Sequence, residues 1–439
     1  MLQAAERSVE VDRTAAVRAR LALGYFALVG VLGLLLRWLL VQPINGINYK
    51  FLLHGHSHVA LLGWLYCAFF AALLYAFPPQ SIAAQKSFKR QFLLTQVSVA
   101  GMLVTFPIQG YALFSITFST LHILLSYWFG WSFWKHLKGY VQQEGRYQVP
   151  VKYIGASLLF LVLSTIGPWS LGPIMAKGLS GSELYYSAIY FYLHFQYNGW
   201  FTFAVLGLFL WWLEHNNLYF NKQLATRAFW FLALACVPAF ALSVLWTKPA
   251  VWVYVTGGVA GLMQLAGLYF ILRSILEVWP ELVALLKPWV RRLLGLALVA
   301  LVLKLVLQAA SALPFVADLA YQFRYFIIGY LHLSLIGFVS LFMLGFFLQQ
   351  DLFRFGKYGK GGLSLLLAGF FLSESLLFLQ GTFLWLNLPA IPSFNQLMFW
   401  VSIPMPVGLL LLFFSQRGLY LSRSNTSKAA VKTLSPAEN

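Results

Sequence analysis

The sequence predicts an all-α fold, a polytopic membrane bundle of twelve transmembrane helices in three pseudo-symmetric four-helix units. Three observations carry this reading. Apolar runs longer than about 18 residues recur along the whole chain. Of its 439 residues, 60% are hydrophobic and only 10% charged. The pattern His, four residues, Gly, aromatic occurs three times, as His58-VALL-Gly63-Trp64, His194-FQYN-Gly199-Trp200 and His332-LSLI-Gly337-Phe338. The intervals are 136 and 138 residues, and each contains four apolar spans.

The spans read as 20–41, 51–77, 90–112, 114–135, 151–172, 184–213, 227–247, 250–274, 289–311, 324–349, 362–384 and 392–415. They form one membrane domain over 20–416. It lies between an N-terminal segment at 1–19 and a tail at 417–439 whose polar composition is that of a disordered segment. The N-terminus (AAERSVEVDRTAAVRAR) is charged and precedes a full-length span, so it does not read as a signal peptide. The net charge of +18 raises nucleic acid as a partner, but its distribution argues against that. Of 30 Lys and Arg, 24 fall on the N-terminus, the C-terminus and the even-to-odd loops. The opposite side carries Lys50, Lys177, Lys248 and Arg324. This asymmetry predicts cytoplasmic termini in a multi-pass protein, with the bacterial inner membrane as its expected location and the lipid bilayer as its partner. Cys67 and Cys236 sit inside apolar spans and read as core residues.

Span 1 holds Arg37 near the outer interface, within reach of water by snorkelling. Span 2 starts at Lys50 and carries three of the eight histidines, His54, His56 and His58. His54 and His58 are four apart and share a helix face, while His56 points elsewhere. His58 and His332 each lie eight residues inside their spans, about 12 Å deep, and His194 lies about 15 Å deep. Ionisable groups at such depth are functional candidates. The Gly after each motif histidine clears room for a flat ligand or for a neighbouring helix, and the aromatic could pack on such a ligand. His122 in span 4 lies at a similar depth and reads either as a metal ligand or as a hydrogen-bonded core histidine. His136 and His215 read as interfacial. Glu374 and Lys304 are intramembrane charges that either relay protons or pair with each other or with backbone groups. Tyr197 and Asn198 can reach whatever His194 faces.

Twelve spans in three units, with histidines on the second, sixth and tenth, resemble the catalytic subunit of the heme-copper oxidase superfamily. That superfamily includes cytochrome oxidases and nitric oxide reductases. FLLH at 51–54, followed by Gly63, resembles the second-helix Leu-Leu-His of C-type oxidases and nitric oxide reductases. Gly329-Tyr330-Leu331-His332, followed by Gly337-Phe338, resembles their tenth-helix Gly-His-x-His-x4-Gly-Trp. The resemblance implies a low-spin heme, b-type, held by His332 and a span-2 histidine. The local match favours His54 and the internal repeat favours His58. Lys50 and Arg324 would pair with the propionates. The resemblance further implies a His194 ligand to a second metal, copper or iron, and a cytochrome c or quinol donor with further membrane subunits. This sequence departs from the family at key points. Tyr330 replaces the high-spin heme's histidine, no His-His pair exists, and span 7 has no histidine. Asn198 stands where some oxidases have Tyr and nitric oxide reductases have Glu.

Three functions follow as expectations. The first is a heme-binding electron-transfer protein, an oxidoreductase if it reduces O2 or NO at a divergent site. The second is a non-catalytic heme or copper carrier or assembly factor on the same scaffold. The third is a secondary transporter, against which the threefold repeat argues. A metal site without heme, drawing on His54, His56, His58, His122, His194 and His332, is the rival chemistry, because imidazole suits copper and zinc.

Overall fold

A computed structural model describes the backbone of residues 2–416 and, except at Gln143, the side chains from Arg13 onward. The tail expected at 417–439 lies outside the described residues. Among the described residues there is no strand, and the chain is an all-α polytopic bundle. Its long helices are α1 (Leu2–Leu39), α2 (Tyr49–Ala76), α3 (Ile82–Gln109), α4 (Leu113–Glu144) and α5 (Gln148–Ala176). They continue as α6 (183–215), α7 (Lys222–Thr247), α8 (Val251–Leu285) and α9 (Pro288–Ala310). The last are α10 (Arg324–Gln349), α11 (Gly359–Trp385) and α12 (Phe394–Ser415). Eleven of these are long and apolar enough to cross a membrane, and α6 is the exception. Its N-terminal half, ELYYSAIYFYLHFQYN, carries five Tyr and polar His, Gln and Asn, which lower its hydropathy although it is helical throughout.

Each element packs on the next, and α1 closes on α12, so the helices form a ring. The three motif helices lie inside it and touch one another. Their burial separates them from the rest: the apolar window is 83% buried in α2 and 72% in α10, against 33% in α4 and α12. Residues 198–208 of α6 are all buried. A helix that is apolar all round belongs in such a position. The sequence repeat therefore has a structural counterpart in three four-helix units, each contributing its second helix to the centre.

The repeat extends to the backbone. Immediately after each motif histidine the helix widens into a π-helical turn, at Val59–Leu65, Phe195–Phe201 and Leu333–Ser340. The change of pitch disturbs the carbonyl partners, and a bilayer offers no water to replace them. A side chain at the end of each turn bonds to the carbonyl five residues earlier. Thr202 Oγ1 donates to Tyr197 (2.6 Å), Ser340 Oγ to Leu335 (2.7 Å) and Cys67 Sγ to Leu62 (3.7 Å).

The motif glycines serve helix packing, not ligand approach. A Cβ on Gly199 would stand 2.5 Å from Phe160, and Gly63 and Gly337 likewise face neighbouring helices. The aromatics follow the same logic. Trp64, Trp200 and Phe338 are buried in the core, and Trp64 Nε1 donates to Ser340 Oγ at 2.8 Å, joining the widened turns of α2 and α10.

Candidate functional site

The polar side chains at mid-depth fall into three groups, one beside each junction of the inner helices. The first lies between α1, α2, α10 and α11. His332 Nδ1–H donates to Glu374 Oε1 at 2.9 Å. That bond fixes the tautomer and leaves Nε2 with its lone pair. The second carboxylate oxygen of Glu374 is buried without a hydrogen-bond partner. Arg37 is half-buried in the last turn of α1. From α2 the structure brings His56, not His54 or His58, within electrostatic reach of His332. The His56 ring lies against α1, where a Cβ on Gly33 would stand 3.1 Å from its Cε1. The Val29 carbonyl lies beside the ring, and His56 Nδ1 is buried and unpartnered. Lys50 and Arg324, expected at a common rim, sit exposed in the first turns of α2 and α10.

The second group joins α6, α7, α9 and α10. Lys304 on α9 is fully buried, and its Nζ donates to Asn198 Oδ1 at 2.5 Å. An ammonium can only donate, so the Asn198 amide oxygen must face it and the amide nitrogen must face His194. Asn198 Nδ2 therefore donates to His194 Nδ1 at 3.1 Å, and His194 Nε2–H donates to the Cys236 carbonyl at 2.8 Å. That carbonyl is free because the helix tightens to 3-10 pitch at Pro238, where Phe240 N–H turns to Val237 instead. Both ring nitrogens of His194 are engaged. Tyr330, next along, donates its hydroxyl to Gln308 Oε1 at 3.0 Å, and the Lys304 ammonium lies 5.6 Å from the Tyr197 ring centre. Lys304 and Glu374 do not pair with each other, as the sequence had left open. The partner of each is a side chain distant in sequence.

The third group lies between α2, α3 and α4. His54 and His58 share a face, as their spacing predicts, and that face meets Phe106 and Tyr111. The His58 ring stacks on Phe106 at 4.0 Å, and the His54 ring meets Tyr111 edge-on at 4.7 Å. His122 on α4 is buried beside Tyr66, with ring centres 4.7 Å apart.

The two remaining histidines sit near helix ends. His136 Nε2 meets the Phe77 carbonyl at 3.1 Å, and His215 stacks on Trp211 at 4.8 Å. Cys67 and Cys236 are buried free thiols. Among the described residues no three or more His, Cys, Asp or Glu gather as a metal-holding group. The Lys304–Asn198–His194 chain escaped sequence reasoning, although the Lys304 charge within LVLKLVL was its signal. Comparison with known protein families and with curated proteins returned no match.

Proposed function

We propose that this chain is a heme-binding membrane protein that moves electrons, built on an oxidase-like scaffold in which α6 also crosses the bilayer. The observation that carries the proposal is the His332–Glu374 hydrogen bond, with His56 of α2 within electrostatic reach of His332. A histidine that ligates a metal usually gives its other N–H to a carboxylate or a carbonyl, which orients the ring and raises its basicity. His332 has its carboxylate at 2.9 Å. The donor set fits a low-spin b-type heme, which takes two axial imidazoles from different helices. Such a heme would supply one-electron transfer. The protein's own part is to hold the rings, exclude water and set the local charge.

The geometry favours His56 as the span-2 ligand over His54 and His58, whose rings face α3. Reduced-minus-oxidised spectra of the purified chain test this. His56→Ala is expected to lose the low-spin signal, whereas His54→Ala and His58→Ala keep it. Retention in well-folded His56→Ala, with loss in one of the other two, would return the assignment to the partner the sequence favoured. The electron donor, a cytochrome c or a quinol, and any further subunits belong to the same proposal, as do a bacterial inner membrane and cytoplasmic termini.

A specific observation favours the carrier reading over the enzyme. A copper of the oxidase type needs three imidazoles. Here His194 uses both nitrogens in hydrogen bonds, α7 offers no histidine, and the amine of Lys304 sits one residue away in the hydrogen-bond chain. Steady-state oxygen consumption with an artificial donor is therefore expected to be far below that of a standard oxidase. It is also expected to be unchanged in His194→Ala. Fast turnover that disappears in that variant would demonstrate a rearranged catalytic site.

A further inference from the structure

A groove of about 550 Å³ opens near the N-terminal ends of α9 and α11, on the side of the membrane domain where the positive residues gather. Both helices pack on the inner helix α10, and the groove is the seam between them. Arg291 and Arg292 of α9 and Ser364 of α11 line its rim and are exposed. Each guanidinium is held by something other than a carboxylate. Arg291 Nη2 donates to the Val283 carbonyl at 2.8 Å, and Arg292 lies 5.0 Å from the centre of the Trp289 ring. Neither has an ion-pair partner among the described residues. The segments 287–296 and 353–367, from which the walls come, contain six Lys and Arg and no Asp or Glu. Asp351, just before the second segment, is already paired with Lys287 at 3.0 Å and with Arg354 at 3.8 Å. About one turn further along each helix the walls become apolar, with Leu296 and Leu367 half-buried. Gly295 stands between the two levels, and a Cβ there would meet nothing within 4 Å.

Guanidinium groups take phosphate oxygens through paired N–H bonds, and two of them without an acidic partner favour such an anion strongly. Basic pockets between helix ends hold the head groups of anionic lipids in this way. The apolar lower walls add a second requirement. A soluble phosphate compound would leave Leu296 and Leu367 unmatched, whereas an acyl chain would lie along them. Charge also discriminates among lipids. A zwitterionic head group would bring its own ammonium to the two guanidinium groups, and no carboxylate lines the groove to receive it. The Ser364 hydroxyl donates its proton to the Lys360 carbonyl at 3.1 Å and keeps lone pairs for a head-group hydroxyl.

We propose that this groove holds one anionic phospholipid, with its phosphate on Arg291 and Arg292 and an acyl chain along Leu296 and Leu367. The site stands apart from the polar groups at mid-depth, since Lys304 lies about 18 Å further along α9 than Arg292. It does not rest on the heme reading. The test is native mass spectrometry of the full chain, delipidated in detergent and titrated with dioleoylphosphatidylglycerol or dioleoylphosphatidylcholine. Far-ultraviolet circular dichroism and melting temperature check the fold of each variant. One phosphatidylglycerol is expected to bind about tenfold or more tightly than phosphatidylcholine. An arginine near a membrane surface counts for about fivefold, so Arg291→Gln combined with Arg292→Gln should weaken binding by about 25-fold. Gly295→Leu should also weaken it with both arginines in place, because the new side chain occupies the groove. Leucine is the better helix former, so this variant serves if the arginine variant folds poorly. Lys135→Gln combined with Lys138→Gln removes the same charge from exposed positions on α4, and should bind as the wild type does. Inorganic phosphate at millimolar concentration should not displace the lipid. Equal retention of the two lipids, unchanged binding in either groove variant, the same loss in the α4 variant, or displacement by inorganic phosphate would overturn the proposal.

Discussion

His332→Ala is expected to abolish the low-spin heme spectrum, and Glu374→Gln to keep it while raising the midpoint potential. In the proposed site His332 would be an axial donor, and without it a bound iron could not be six-coordinate through two imidazoles. Glu374→Gln acts one atom further out. The carboxylate accepts the Nδ1 proton at 2.9 Å and makes the ring a stronger donor, which favours ferric over ferrous iron. A neutral amide withdraws that bias. If the bias is worth about tenfold, the shift is about 59 mV for a one-electron couple. The measurements are pyridine hemochrome content, reduced-minus-oxidised spectra and a redox titration. A low-spin spectrum in well-folded His332→Ala would sink the axial assignment. An unchanged potential in Glu374→Gln would mean that the carboxylate serves packing alone.

The second large effect concerns the buried lysine. Asn198→Leu is expected to destabilise the protein by about 3–5 kcal/mol, because it removes the hydrogen-bond acceptor of the buried Lys304 amine and leaves any charge there uncompensated. Lys304→Met is expected to be far milder. It gives up a charged hydrogen bond of about 1.5–3 kcal/mol but also removes the cost of burying the charge. The double variant should therefore be more stable than Asn198→Leu alone, an inversion that simple loss of packing would not produce. Apparent melting temperatures in one detergent at a fixed heating rate provide the readout. If Asn198→Leu melts with the wild type, the lysine does not depend on this amide.

The sequence made the architecture legible because burial at the centre leaves a strong imprint. Three motifs at near-equal spacing marked the three innermost helices, and the apolar runs marked the bundle. Side-chain partnerships were less legible because they join residues far apart in the chain. Lys304 meets Asn198 across 106 positions, and His332 meets Glu374 across 42. No periodicity links such pairs. The choice among His54, His56 and His58 was hidden for a related reason. Spacing indicates that His56 faces away from the other two, but not which neighbour lies on which side. Hydropathy marks α6 least clearly of the twelve helices for a compositional reason, since its tyrosines and amides serve the interior at the expense of hydropathy.

The widened turns have a consequence for the phase of the helices. A helix whose two halves are packed against different partners can satisfy both only if its azimuth between them is adjustable. Each π turn supplies that adjustment by accommodating an extra residue. Deleting one residue from the stretch after His58 would let it relax to ordinary pitch and rotate everything upstream by about 100° relative to the Trp64 half. His54, His56 and His58 would all be re-aimed together, while the aromatic core below stayed in place. The turn thus works as a vernier between the core-packed Trp64 half and the histidine-bearing tip. A one-residue deletion within Val59–Leu65 should be more damaging to cofactor loading than to folding, and a compensating insertion in the same turn should reverse it.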